Sequence, residues 1–118
     1  EQEGAIVAGF DQAQSILYTT NLLRDAYNSK AIFTRWHGGE LISKQYDISF
    51  LISVLYFFKN QELALQNIHT KYLLCDVADN SLELIKKYYT IREHKISWGV
   101  GQRNGIGNLM LCERKNYE

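Results

Sequence analysis

The sequence predicts a small α+β domain: a mixed or antiparallel sheet of about four strands, packed by about three to four helices, with a C-terminal β-hairpin. Three observations predict it. The chain has 118 residues, 46% apolar and 22% charged, which bounds it to a single domain (residues 1–118) with a real hydrophobic core. Helical and strand-like apolar spacings follow one another without repeats, linkers or low-complexity tracts. A turn rich in Asn and Gly near the C-terminus lies between two strand-like runs and marks the hairpin.

Taken in order, Ala5-Ile6-Val7-Ala8 reads as a short strand or extended arm that Gly9 breaks. From Asp11 to Tyr27 the apolar residues Ala13, Ile16, Leu17, Leu23 and Ala26 recur at three and four, which is helical spacing. Asn28-Ser29 ends that helix. Residues 30–36 form a strand, and His37-Gly38-Gly39-Glu40 a loop. Residues 46–58 are the longest apolar run, about a dozen residues, where a bilayer span needs roughly 20. Asp47 as N-cap, with Ser49 and Ser53 four apart, favours a helix there, although the β-branched and aromatic content also suits a strand. Asn60 caps a second helix, Gln61 to about His69, whose buried positions are Leu63, Leu65 and Ile68.

Residues 71–78 are the clearest strand. Asp79-Asn80-Ser81 caps an amphipathic helix with Leu82, Leu84, Ile85, Tyr88 and Tyr89 on its apolar face and Glu83, Lys86 and Lys87 outside. Residues 94–100, the turn 101–107 and residues 108–112 make the hairpin. With no proline in the chain, its turns rely on Gly, Asn and Asp.

Acidic and basic residues balance at 13 each, so no net field attracts nucleic acid or an anionic membrane. The two cysteines, Cys75 and Cys112, each follow aliphatic residues in strand-like runs and read as buried thiols of a reducing compartment, cytoplasmic or nuclear. His37, His69, His94 and the cysteines show no short ligand spacing, so no metal site is expected from the residues. Arg35, Trp36 and His37, beside a glycine pair, form a candidate binding patch, although Trp36 is better suited to anchoring the core. Lys86, Lys87 and Arg103 belong to a basic, tyrosine-containing segment that is a candidate nucleic-acid surface, although Glu83, Glu93 and Glu113 offset much of its charge.

The apolar run Leu109–Cys112 ends in Glu113-Arg114-Lys115. A strand ending in Glu-x-Lys resembles the PD-(D/E)xK nucleases, and the Glu-Arg-Lys form is similar to the XPF/Mus81 group, over residues 71–115. The resemblance implies Asp76 and Glu113 as Mg²⁺ ligands, with Lys115 polarising water or phosphate. Gln102 stands where that family carries a further metal-binding acid. Two functional expectations follow. The residues themselves show no complete catalytic constellation and abundant Tyr and Trp. They point to a non-catalytic protein-binding or regulatory module, oligomeric through residues 46–58, whose partner is another protein or a second copy of the chain. The resemblance points instead to a nuclease-like, nucleic-acid-processing domain using Glu113 and Lys115. No cofactor is expected beyond the Mg²⁺ of that alternative, and no membrane partner.

Overall fold

The computed structural model describes residues 1, 3–52, 54–76, 79–98 and 106–116. Six strands in two sheets, three α-helices and a 3-10 turn are formed among them, so the α+β class expected from sequence is borne out. The chain folds as two compact units, Glu1–His37 and Gly38–Glu118.

The first unit is a βαβ crossover. Strand β1 (Ala8–Asp11) runs parallel to β2 (Ile32–Arg35), with Asp11 opposite Arg35. Parallel neighbours need a connection of a dozen or more residues, and the 13-residue helix α1 (Gln14–Ala26) supplies it. Gly9 sits inside β1 and does not break it. A Cβ there would lie 2.5 Å from Phe33 Cδ1, so the glycine makes room for the aromatic ring on the neighbouring strand. Helix α1 stops where the sequence indicates. Asn28 takes φ 53°, the Ser29 amide donates to the Arg24 carbonyl (2.9 Å), and the Asn28 amide donates to Asp25 (3.3 Å). This is a Schellman closure with Asn in the left-handed position. The helix presents less apolar surface to the unit than its spacing suggests: Leu17 is buried, while Ile16 and Leu23 are exposed.

In the second unit, β3 (Tyr46–Leu51), β4 (Thr70–Asp76), β5 (Tyr89–Trp98) and β6 (Ile106–Arg114) form one mixed sheet in the order β3-β4-β6-β5. The β3–β4 pair is parallel; β4–β6 and β6–β5 are antiparallel. β5 and β6 form the expected C-terminal hairpin, and residues 99–105 of its turn lie outside the described residues. A bulge between Ile91 and Glu93 shifts the β5 register.

The helix expected over residues 46–58 does not form. The run divides into strand β3 and a 3-10 turn, Leu55–Phe57. Its β-branched and aromatic side chains fit a pleated ladder against β4, and Asp47 lies within the strand instead of capping a helix. The expected cap at Asn60 does form: its Oδ1 accepts from the Leu63 amide (3.0 Å), starting helix α2 (Gln61–Asn67). α2 buries Ala64 and Leu65, with Ile68 following, whereas Leu63 is on the outer side.

Helix α3 (Asp79–Tyr88) is tied to α2 by Ser81 Oγ donating to Gln61 Oε1 (2.8 Å). The core of the unit includes Leu55, Leu65, Leu73, Ile85, Tyr89 and Met110, all at most 2% exposed. Each aliphatic side chain among them contributes roughly 1.5–3 kcal/mol by burial. Gly38 is required where it stands: its φ is +94°, and a Cβ would lie 2.8 Å from Phe58 Cδ1 and 3.1 Å from Ala64 Cβ.

Candidate functional site

Open parallel strands present ligands to the crevice outside their carboxyl ends. In the first unit that end carries Asp11 on β1 and Arg35-Trp36-His37 on and after β2. The Trp36 amide donates to the Asp11 carbonyl (2.9 Å), extending the parallel ladder to the last residue of β1. The Asp11 side chain turns back on the loop, where Oδ1 accepts from the Ala13 amide (2.8 Å). Ala13 is the N-cap of α1 and has no side-chain cap of its own, so Asp11 organises the helix start. Arg35 Nε donates to the Gln12 carbonyl (3.1 Å). Trp36 is buried and meets the Phe10 ring edge-on at 6.2 Å, so it anchors the unit and offers no stacking platform. His37 is exposed.

Asp11 was not singled out by sequence reasoning beyond marking a helix start. The available signal was its position at the junction of a short apolar segment and an amphipathic helix, at the strand end where open α/β sheets bind ligands.

In the second unit, the carboxyl end of β4 is Asp76, itself buried. Cys75 and Cys112 are both free and buried, two positions off direct opposition and so on the same face of the sheet: Leu73 pairs with Cys112, and Cys75 with Met110. Their mutual hydrogen bond, with burial, pushes the Cys75 thiol well above an ordinary thiol.

The residues of the nuclease resemblance do not converge. Asp76 pairs with Leu109, whereas Glu113 pairs with Tyr72 at the other end of the same ladder. Four strand residues separate those positions, about 13 Å, while carboxylates sharing one Mg²⁺ bind it at about 2.1 Å each. Glu113 instead accepts from Arg92 Nε (2.8 Å), and Lys115 Nζ donates to the Lys86 carbonyl (2.6 Å). Among the described residues no group of three or more His, Cys, Asp or Glu is placed to hold a metal ion.

The basic candidates are also engaged. Lys86 pairs with Glu83 (3.5 Å). Lys87 and the Tyr88 hydroxyl both donate to Glu62, and Gln66 Nε2 donates to Tyr88 (2.8 Å). Lys87, then Tyr88, holds the Glu62 carboxyl below its ordinary value. Arg114 lies over the Tyr88 and Tyr89 rings and donates to the Leu65 carbonyl (3.2 Å), joining β6 to the end of α2. Arg103 lies outside the described residues. No described helix is long and apolar enough to cross a membrane.

No protein-family model matches the chain, and no curated protein does. Solved structures do match in fold. The PH0226 protein from Pyrococcus horikoshii OT3 superposes with a TM-score of 0.71 at 12% identity, over 97% of this chain and 74% of its own. The 16S rRNA methylase RmtB gives 0.71 at 13% identity, over 97% and 49%. TehB from Haemophilus influenzae gives 0.63 at 16%, over 95% and 51%. The chain thus spans three quarters of the first and about half of the other two.

These neighbours share the fold of the chain and include an rRNA methylase, and they overturn both functional expectations. The similarity of residues 71–115 to the nuclease group was a coincidence of local pattern: Glu-Arg-Lys ends a strand here, but the ladder register sends Asp76 to its far end. A non-catalytic module oligomeric through residues 46–58 is likewise not what these neighbours indicate; that run supplies the edge strand β3 and the turn that follows it in the second unit. The chain shares its fold with these solved structures, one of them an rRNA methylase, and has Asp11 at the carboxyl end of its first parallel strand.

Proposed function

We propose that the chain carries a methyltransferase-type function, moving a methyl group from a nucleoside-bearing sulfonium donor, S-adenosylmethionine, to an acceptor. The observation that carries the reading is Asp11 at the carboxyl end of β1 in a fold of this likeness. The reading requires a donor, where the sequence alone suggested no cofactor.

The chemistry of Asp11 fits a ribose diol. Its Oδ1 is used by the Ala13 amide, and Oδ2 has no protein partner among the described residues. An ionised carboxylate only accepts, and two vicinal hydroxyls only need acceptors to be held. Charge-assisted hydrogen bonds of this kind are about twice as strong as neutral ones. A site built this way discriminates against an analogue lacking a hydroxyl, because the carboxylate is then left short of a donor. When bound, the donor supplies an electrophilic methyl group on its sulfonium sulfur. Asp11 binds and orients the donor.

An intracellular setting belongs to the same proposal and is supported by two buried free thiols. A nucleic-acid acceptor is supported by the rRNA methylase among the structural neighbours. The test is equilibrium binding of radiolabelled S-adenosylmethionine, followed by transfer to an RNA panel. Saturable binding that Asp11→Ala weakens about tenfold or more is expected. Absence of saturable binding at millimolar donor would refute the reading.

A further inference from the structure

The loop joining β1 to α1 holds one peptide group between two side chains. The Gln12–Ala13 peptide accepts at its carbonyl from Arg35 Nε (3.1 Å) and donates from its amide to Asp11 Oδ1 (2.8 Å). Asp11 and Arg35 are directly opposite in the parallel register, and the Trp36 amide pins the Asp11 carbonyl (2.9 Å). The strand end is therefore fixed by the ladder, while the carboxylate is fixed by a peptide plane that Arg35 holds from the other side. A cation donating to a carbonyl also polarises the N–H of the same amide, strengthening the bond that amide makes.

We infer that Arg35 is a positioning residue for ligand binding: acting through the Gln12–Ala13 peptide, it holds the Asp11 carboxylate with Oδ2 turned to the ligand's hydroxyls. This rests on the methyltransferase-type reading and adds to it a residue that need not touch the ligand. Without Arg35 the peptide is free to rotate, its N–H leaves Oδ1, and the carboxylate samples rotamers that face solvent. Lysine preserves the charge and one donor but not the rigid planar fork, so it restores the effect in part.

The experiment is isothermal titration with S-adenosylhomocysteine, using wild type, Asp11→Asn, Arg35→Ala, Arg35→Lys and the double variant Asp11→Asn/Arg35→Ala. Melting curves of each confirm that the fold is retained, which the exposure of Arg35 favours. Arg35→Ala is expected to weaken binding about three- to tenfold, the loss of one modest hydrogen bond's ordering effect, with Arg35→Lys between it and wild type. In the Asp11→Asn background the same change is expected to cost almost nothing, because the carboxylate it orients is gone. A merely structural role would give equal losses in both backgrounds, and that result overturns the inference, as does wild-type affinity in Arg35→Ala. If wild type fails to bind at all, the donor reading falls and this inference with it. If wild type binds and Asp11→Asn binds equally well, the ligand is held elsewhere and Arg35 has nothing to position.

Discussion

Gly38→Ala is expected to destabilise the second unit by about 2–5 kcal/mol, from two costs that can be separated. The first is backbone strain. At φ +94° an L-residue is disfavoured by roughly 1–2 kcal/mol. The second is overpacking. The new methyl would stand 2.8 Å from Phe58 Cδ1 and 3.1 Å from Ala64 Cβ. Ala64 is fully buried on α2 and cannot retreat, so the ring or the loop must move, for about 1–3 kcal/mol. Urea unfolding read by tryptophan fluorescence measures the sum, and a melting temperature lower by on the order of 10 °C should accompany it. Two further variants divide it. Asn tolerates positive φ better than Ala but is larger, so Gly38→Asn should be no better than Gly38→Ala if crowding dominates. Phe58→Ala should recover part of the Gly38→Ala loss in a double-mutant cycle. A Gly38→Ala protein within about 0.5 kcal/mol of wild type would refute the argument from this geometry.

Other consequences can be measured on the same protein. Leu65→Ala, at a position with no exposed surface, should cost about 2–5 kcal/mol in urea unfolding. The Glu62 carboxyl titrates below its ordinary 4.5 because Lys87 and Tyr88 bind its ionised form. Its contribution to stability is therefore present above about pH 4.5 and lost as the pH falls through the lower folded value, and Tyr88→Phe should flatten that acid limb. Cys75 is shifted the other way, so its contribution is complete below the ordinary thiol value of about 8.5 and declines as the pH rises above it. At pH 8 both thiols should ignore a disulfide reagent in the native protein and react in guanidinium; fast labelling without denaturant would contradict their burial. Glu113→Gln should cost no more than about 1 kcal/mol, as for an ion pair with both partners partly exposed.

Several elements were legible because their signals are local. Asn60 before Gln-Glu-Leu-Ala-Leu predicts a capped helix, and the cap is made by Asn60's own side chain three residues ahead. Asn28 ends α1 through bonds spanning six residues. The hairpin of β5 and β6 joins consecutive strands, so its turn chemistry announces it. Gly9 misled because a glycine's meaning in a strand depends on its neighbour, and Phe33 is 24 positions away.

The apolar stretch 46–58 was illegible for a related reason. A run that is apolar on every side carries no period, and its conformation follows from what it packs against: β4 on one edge makes it a strand. The candidate site follows the same division. The local residue pattern brought out Arg35, and the resemblance to the nuclease group brought out Glu113, Lys115 and Asp76, as chemically capable side chains and nothing more. Strand register then set Asp76 and Glu113 at opposite ends of one ladder, removing a metal site. Register also set Asp11 opposite Arg35, creating a carboxylate held through a shared peptide. Side-chain chemistry and local caps are properties of a few consecutive residues, so a linear reading reaches them. Which groups meet depends on pairing between strands distant in sequence, and that pairing is stabilised only once the whole sheet and its core are assembled.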